Sequence, residues 1–163
     1  MSLPKLFPSL VHMLIDAAEK GPRQEALVCE GERLNYRAYL NCAIGFHNEL
    51  CEYDIVNERV VLVMGNSINI CIAMFSAHMA RAQIVPMNPM YTENELRPML
   101  IDAEAKVILY DGINKDCVEK LANELNIPHQ IYLDREDGKT LTHWAEEEDL
   151  ACPASLPDKD ELA

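Results

Sequence analysis

The chain is short of glycine and of positive charge, and each shortage excludes a class of function. Six glycines are spread over 163 residues. A dinucleotide fingerprint needs G-x-G-x-x-G behind its first crossover strand, and a Walker loop needs G-x-x-x-x-G-K-[ST], because phosphate oxygens are gripped by closely approaching backbone N–H groups. The corresponding turn here is Met64-Gly65-Asn66-Ser67, with one glycine, and no glycine has the Walker neighbourhood. A G-x-S-x-G nucleophile elbow is also lacking. Lys and Arg number 14 against 27 Asp and Glu, for a net charge of −13. Such a surface repels phosphate backbones and anionic lipid, which argues against nucleic acid as a partner. It leaves room for a nucleotide held in a local pocket. The longest apolar run, 68–80, is broken by Asn69, Ser76 and His78, and falls short of the ~20 residues that a transmembrane helix needs. No C-x-x-C pair occurs among Cys29, Cys42, Cys51, Cys71, Cys117 and Cys152. With no secretory leader read ahead of them, the thiols are expected to be reduced and the protein cytoplasmic. His47 and Cys51 stand four apart on a predicted helix, but two donors do not make a metal site.

What is present is a rhythm. Ser9 caps a first helix with Leu10, Met13, Leu14 and Ala17 on one face, ended by Gly21-Pro22. Residues 26–29 and 33–34 read as a hairpin about Glu30-Gly31-Glu32. Asn35 caps a second helix with a stripe of Tyr36, Tyr39, Leu40, Ala43, Phe46 and Leu50, and Leu34 is placed to staple onto Tyr39. Then strands recur about every 23 residues: 59–64 (RVVLVM), 83–86, 106–110 (KVILY) and 129–133. Between them lie a helix capped by Ser67 and apolar nearly all round, a helix over 93–103, and a helix capped by Asn114. Uninterrupted apolar strands alternating with helices predict an α/β fold, a doubly wound and mostly parallel sheet covered on both faces, with the small hairpin at its amino-terminal side. Beyond residue 133 the pattern fades. A turn is read at 136–139, a short helix capped by Thr142 and carrying Trp144 follows, an acidic run covers 146–149, and the tail resembles a linker.

The stretch 83–96 (QIVPMNPMYTENEL) is the most informative. Pro86 cannot donate to a ladder and Pro89 steers Asn88 away from helix, so the chain runs extended over the sheet rim. Thr92 and Glu95 form a T-x-x-E capping box, with Tyr91 and Leu96 as a staple. Pro98 either kinks the ensuing helix or sets its regular start later. Asp111, at a strand end without acidic partners, reads as a turn residue rather than a metal ligand. His78 reads as a core residue rather than a base. No catalytic residue is visible.

Several of these segments, in order, resemble the start of the adenylate-forming (AMP-binding) enzymes: acyl- and aryl-CoA synthetases, luciferases and peptide-synthetase adenylation domains. Glu25-Ala26-Leu27-Val28 with Leu34-Asn35-Tyr36 is similar to the family's early strand and L-T-Y-x-E-L motif. Asn57-Glu58-Arg59-Val60 is similar to G-D-R-V, and Asn66-Ser67 to P-N-S. MARAQIVPMNPMYTENEL follows [KR]-A-G-A-x-x-V-P-x-N-P-x-Y-T-x-x-E-L, and DAEAKVI resembles D-S-G-A-K-V-L. Ala38, Asp54, Asn57 and Arg81 depart from the pattern, the last three where glycine is usual. Pro86-Met87-Asn88-Pro89 resembles the acyl-CoA synthetases' P-x-N-P rather than the P-x-D of peptide synthetases.

The resemblance implies the amino-terminal portion of a fatty-acid–CoA ligase. Residues 1–150 would be its first α/β subdomain. Residues 151–163, whose D-E-L-A resembles the D-D-L-A ahead of the family's phosphate loop, would be a linker to a loop absent from this chain. The longer enzyme would use ATP, Mg and CoA on a small-molecule carboxylate, with the remainder of its own chain as partner. The amino-terminal portion alone is expected to be inactive and to bind none of the three tightly. Asn88, Met90 and Tyr91 are the candidate channel-lining residues, Met90 standing where many CoA ligases carry Arg. The alternatives are a free-standing, non-catalytic acidic α/β binding module, or a piece of a peptide-synthetase adenylation domain.

Overall fold

The computed structural model describes residues 5–134, 140–147 and 150–160. The expected turn at 136–139, the end of the acidic run at 148–149 and most of the D-E-L-A match lie outside these.

Helix α1 (Leu10–Lys20) leads into a hairpin of β1 (Glu25–Cys29) and β2 (Glu32–Asn35). Glu30 and Gly31 both take positive φ, 49° and 93°. That is the two-residue turn whose twist suits an antiparallel pair. α2 (Tyr36–Leu50) follows at once, and the Asn35 side chain accepts from Ala38 N–H at 2.9 Å. The crossover region then runs β3 (Arg59–Val63), α3 (Ile68–Met79), β4 (Gln83–Met87), α4 (Glu93–Ala103), β5 (Val107–Tyr110), α5 (Lys115–Glu124) and β6 (His129–Tyr132). The four crossover strands pair in the order β4-β3-β5-β6, parallel throughout.

Strand alternation builds the layers. Val60, Leu62, Val107 and Leu109 face a core with residues of α1, α2 and α3. Val61, Val63, Ile108 and Tyr110 face a second core with α4 and α5. Both sides of each central strand are therefore dry, which is why their sequences are apolar without interruption. From β3 the chain first moves to β4, then reverses across β3 to β5 and β6. With a fixed crossover hand, the reversal moves the connecting helices to the opposite face.

Local expectations fail in instructive places. The buried face of α1 is Val11, Leu14 and Ala18, while Leu10 and Met13 are about half exposed. The expected stripe is one position out of phase, because flanking apolar residues on both sides leave the phase underdetermined. Ser9 makes no capping bond, and its hydroxyl instead meets His12 Nδ1 at 2.9 Å. α2 is buried almost all round, including Asn41 and His47, because the segment at 140–147 crosses it. In that segment the helix is a 3-10 turn, Leu141–Trp144, with Thr140 rather than Thr142 at its start. Asn41 Nδ2 donates to the carbonyls of Ala145 (3.4 Å) and Glu147 (2.7 Å). A β-carbon on Gly45 would lie 2.3 Å from the Trp144 indole, so a helix-weakening residue is kept to admit the ring. Leu150 and Leu156 also pack on the first core. α4 runs continuously from Glu93 through the exposed Pro98, so the helix starts at its capping box and not at the proline.

The exit from α3 turns on Arg81. It has φ +60°. Its N–H reaches His78 O at 2.9 Å, and Ala82 N–H reaches Ala77 O at 3.0 Å. This pair of bonds is the Schellman exit in which glycine is the usual left-handed residue. Asp54 (φ 51°), Asn57 (φ 62°) and Glu104 (φ 46°) are left-handed too. These turns take the left-handed conformation without glycine.

Candidate functional site

Ligands of open parallel sheets approach the carboxyl ends of the strands, at the point where strand order reverses. Here that point lies between β3 and β5, and the protein fills it with its own atoms. Asp111, just past β5, accepts Gly65 N–H at 2.6 Å through Oδ2 and Ile113 N–H at 3.0 Å through Oδ1. A β-carbon on Gly65 would lie 2.4 Å from Ile113 Cδ1. The one glycine of the first crossover turn thus makes room for an isoleucine, and its N–H is spent on a carboxylate of the same chain. Asp111 is a turn residue, as expected. Asp134 does the same work one strand further on, accepting Gly112 N–H at 2.8 Å. Among the described residues no group of three or more His, Cys, Asp and Glu could hold a metal. Cys51 Sγ lies 3.5 Å from His47 Nε2 as an isolated pair.

An open groove of about 480 Å³ lies beside that closed point, at the carboxyl ends of β3 and β4. Its walls are mostly apolar, with Met64, Met87, Met90, Ile70 and Ile113 prominent. Methionine side chains are flexible and polarisable, and suit an apolar ligand of variable shape. β4 is an edge strand whose Pro86 stands opposite Leu62. An edge position tolerates the missing N–H, so the strand continues one residue beyond Pro86 to Met87.

The turn behind β4 is tightly built. Asn88 Oδ1 accepts Met90 N–H at 2.9 Å, and Asn88 O accepts Tyr91 N–H at 3.1 Å. The asparagine closes the turn through its side chain. Glu95 accepts from Thr92 N–H and from Thr92 Oγ1, both at 2.8 Å. These bonds hold the Glu95 carboxyl below its ordinary value, the Thr92 backbone first and its hydroxyl second.

The three sequence candidates are placed unequally. Asn88 and Met90 line the groove, and Met90 is 76% exposed. Tyr91 is half-buried against the second core. Its carbonyl accepts from Asn114 Nδ2 at 2.9 Å. Asn114, expected to cap α5, makes no capping bond and instead ties the start of α5 to the turn. That link joins residues 23 apart, and nothing local in the sequence announces it. Met64, Ile70, Met87 and Ile113 escape sequence reasoning as groove residues, since their apolar character is equally that of core.

A second groove, about 580 Å³, involves Arg37, Asn41, Glu146, Glu147 and Leu150. His78 is buried on α3 and takes no part in either groove. No helix among the described residues is long and apolar enough to cross a membrane.

Residues 14–163 match the family described as AMP-binding enzyme. A long-chain-fatty-acid–CoA ligase of Salmonella typhimurium is 28% identical over 138 residues, 78% of this chain and 23% of the relative. The chain thus spans about a quarter of the length of the curated ligases it matches. Malpinin synthetase of Mortierella alpina is 25% identical over 114 residues, 69% of this chain and 2% of that protein. Among solved structures, a Mycobacterium tuberculosis fatty acyl CoA synthetase superposes with a TM-score of 0.74 at 23% identity, over 88% of this chain and 29% of its own. That last likeness shows the fold.

Proposed function

Because the chain belongs to the AMP-binding enzyme family, we propose that it is the amino-terminal portion of an ATP-dependent, AMP-forming acyl-CoA synthetase. Residues 1–150 form its first α/β subdomain, and 151–163 lead on toward the phosphate-gripping loop. In the whole enzyme a carboxylate attacks the α-phosphate of ATP with release of pyrophosphate, and the CoA thiol then displaces AMP to give the thioester. Mg, when bound with ATP, would supply charge neutralisation of the phosphates in the first half-reaction.

This chain's residues do not fit the triphosphate. The single glycine turn offers its N–H to Asp111, and none of the groove's lining residues is a cation. No step of the chemistry is therefore assigned to them. Their part is to position. The Asn88 turn and its Asn114 tether hold Met90 at the rim of the open, largely apolar groove, with Met64 and Met87 on its wall. A long acyl chain or the pantetheine arm of CoA suits that wall, because both are slender and largely apolar. The observation that supports the reading is this largely apolar groove at the strand ends, beside the Asn88 turn.

The test is carboxylate-dependent exchange of labelled pyrophosphate into ATP, run on the chain alone and on a longer reading frame containing the phosphate loop. The chain alone is expected to give none, and the longer protein to give fatty-acid-dependent exchange. Exchange by the chain alone would overturn the proposal. One second reading is a peptide-synthetase adenylation domain, another class that shares the resemblance. Under that reading the longer protein activates an amino acid and loads a carrier protein instead of CoA.

A further inference from the structure

Cys29 ends β1, and Cys71 is the fourth residue of α3. The two share a small groove of about 260 Å³ with Leu27, Asn66 and Ile70. Cys29 Sγ lies 3.7 Å from Asn66 O, at the entrance to α3. Side chains on a helix tend to lean toward its amino terminus, and Cys71 borders the groove beside that first turn. The Cys71 backbone is fixed there by Tyr39, whose hydroxyl donates to Cys71 O at 3.0 Å. Both thiols are half-buried and neither is in a disulfide. The Cys71 thiol is pushed above its ordinary value by burial first and by the neighbouring Cys29 second, which agrees with their closeness.

We infer that Cys29 and Cys71 form a paired-thiol site that exchanges with small disulfides and closes to an intramolecular bridge. Cys29, as the thiolate, attacks one sulfur of oxidised glutathione. The S–S bond breaks, a glutathione thiolate leaves, and a mixed disulfide remains on the protein. The second thiol loses its proton and attacks the protein sulfur, releasing the second glutathione. The protein pair is oxidised by two electrons and one glutathione disulfide is reduced to two thiols. The bridge would fasten the β1–β2 hairpin to the first turn of α3. Asn66 and Ile70 wall both this groove and the strand-end groove, so the bridge would stiffen one side of the latter. The site stands independently of what the strand-end groove binds.

The test uses oxidised glutathione on the reduced, folded chain, followed by quenching with an alkylating agent and tryptic mapping. Cleavage after Arg23, Arg33, Arg59 and Arg81 releases Cys29 and Cys71 on separate peptides, each with no other cysteine. The expected product is a Cys29–Cys71 cross-linked peptide, with the intact mass lowered by two hydrogens and restored by dithiothreitol. Cys71→Ser should instead trap a stable glutathione adduct on Cys29. Glutathione adducts without the cross-link in the natural sequence, or bridges among the other cysteines in its place, would overturn the inference. Circular dichroism of the reduced chain and of the variant checks that both are folded.

Discussion

Arg81→Gly should stabilise the protein. The residue sits at φ +60° in a complete Schellman exit from α3, and the β-carbon it carries is the cause of strain. An L-residue in the left-handed region costs about 1–2 kcal/mol. Glycine removes that cost but returns about 0.4–1 kcal/mol through its freer unfolded chain. The expected net gain is about 0.5–1 kcal/mol. Against it stands the loss of side-chain contacts at the surface, such as the long one from Nη1 to Ser155 Oγ at 3.5 Å. In urea, with a slope of about 2 kcal/mol per molar, the midpoint should rise by about 0.3–0.5 M at unchanged slope. Arg81→Ala is the control. It loses the same contacts but keeps the β-carbon, so its midpoint should not rise. If alanine stabilises as much as glycine, the backbone is not the source. If glycine lowers the midpoint, the arginine side chain contributes more than its position suggests.

Gly45→Val places atoms where the Trp144 indole stands, an overpacking expected to cost about 1–3 kcal/mol. Trp144 is the sole tryptophan, so a red-shifted emission should report its expulsion from α2, and unchanged emission would count against the docking. Asn114→Ala should leave the fold intact and speed hydrogen exchange at the Met90 and Tyr91 amides, by removal of a bond worth about 0.5–1.5 kcal/mol. Unchanged exchange would mean that the tether does not hold the turn. Glu93 is held below its ordinary pKa by Lys120 first and Arg97 second, and Glu95 by Thr92. A depressed folded value means that this stability is present above the unfolded carboxylate range and drains as pH falls through the folded values. Thermal midpoints should therefore drop as pH falls below the ordinary glutamate range, about 4.3, and Glu93→Gln should flatten that drop. Burial lowers the His47 pKa, so its neutral form belongs to the fold. A separate decline should begin as pH falls below about 6.5, the unfolded histidine value, and it should be missing in His47→Gln.

The crossover rhythm, the hairpin turn, the Asn35 and Ser67 caps and the Thr92–Glu95 pair were legible because each rests on neighbours within a few residues. Two-sided burial was legible as well, since RVVLVM leaves no polar face to wet. The family resemblance came from the same local turns, even where Asp54, Asn57 and Arg81 stand at positions where the resembled family usually has glycine. Tertiary structure alone decided what local chemistry leaves degenerate. An apolar residue can serve core or groove, so Met87 and Ile113 declared no role until the strands were ordered. Asn114 could cap its helix or reach Tyr91, and Gly45 could be a flaw in α2 or the seat of Trp144. Those choices depend on which segments meet across the sheet, and strand order β4-β3-β5-β6 is set by the summed burial of both cores rather than by any one stretch of chain.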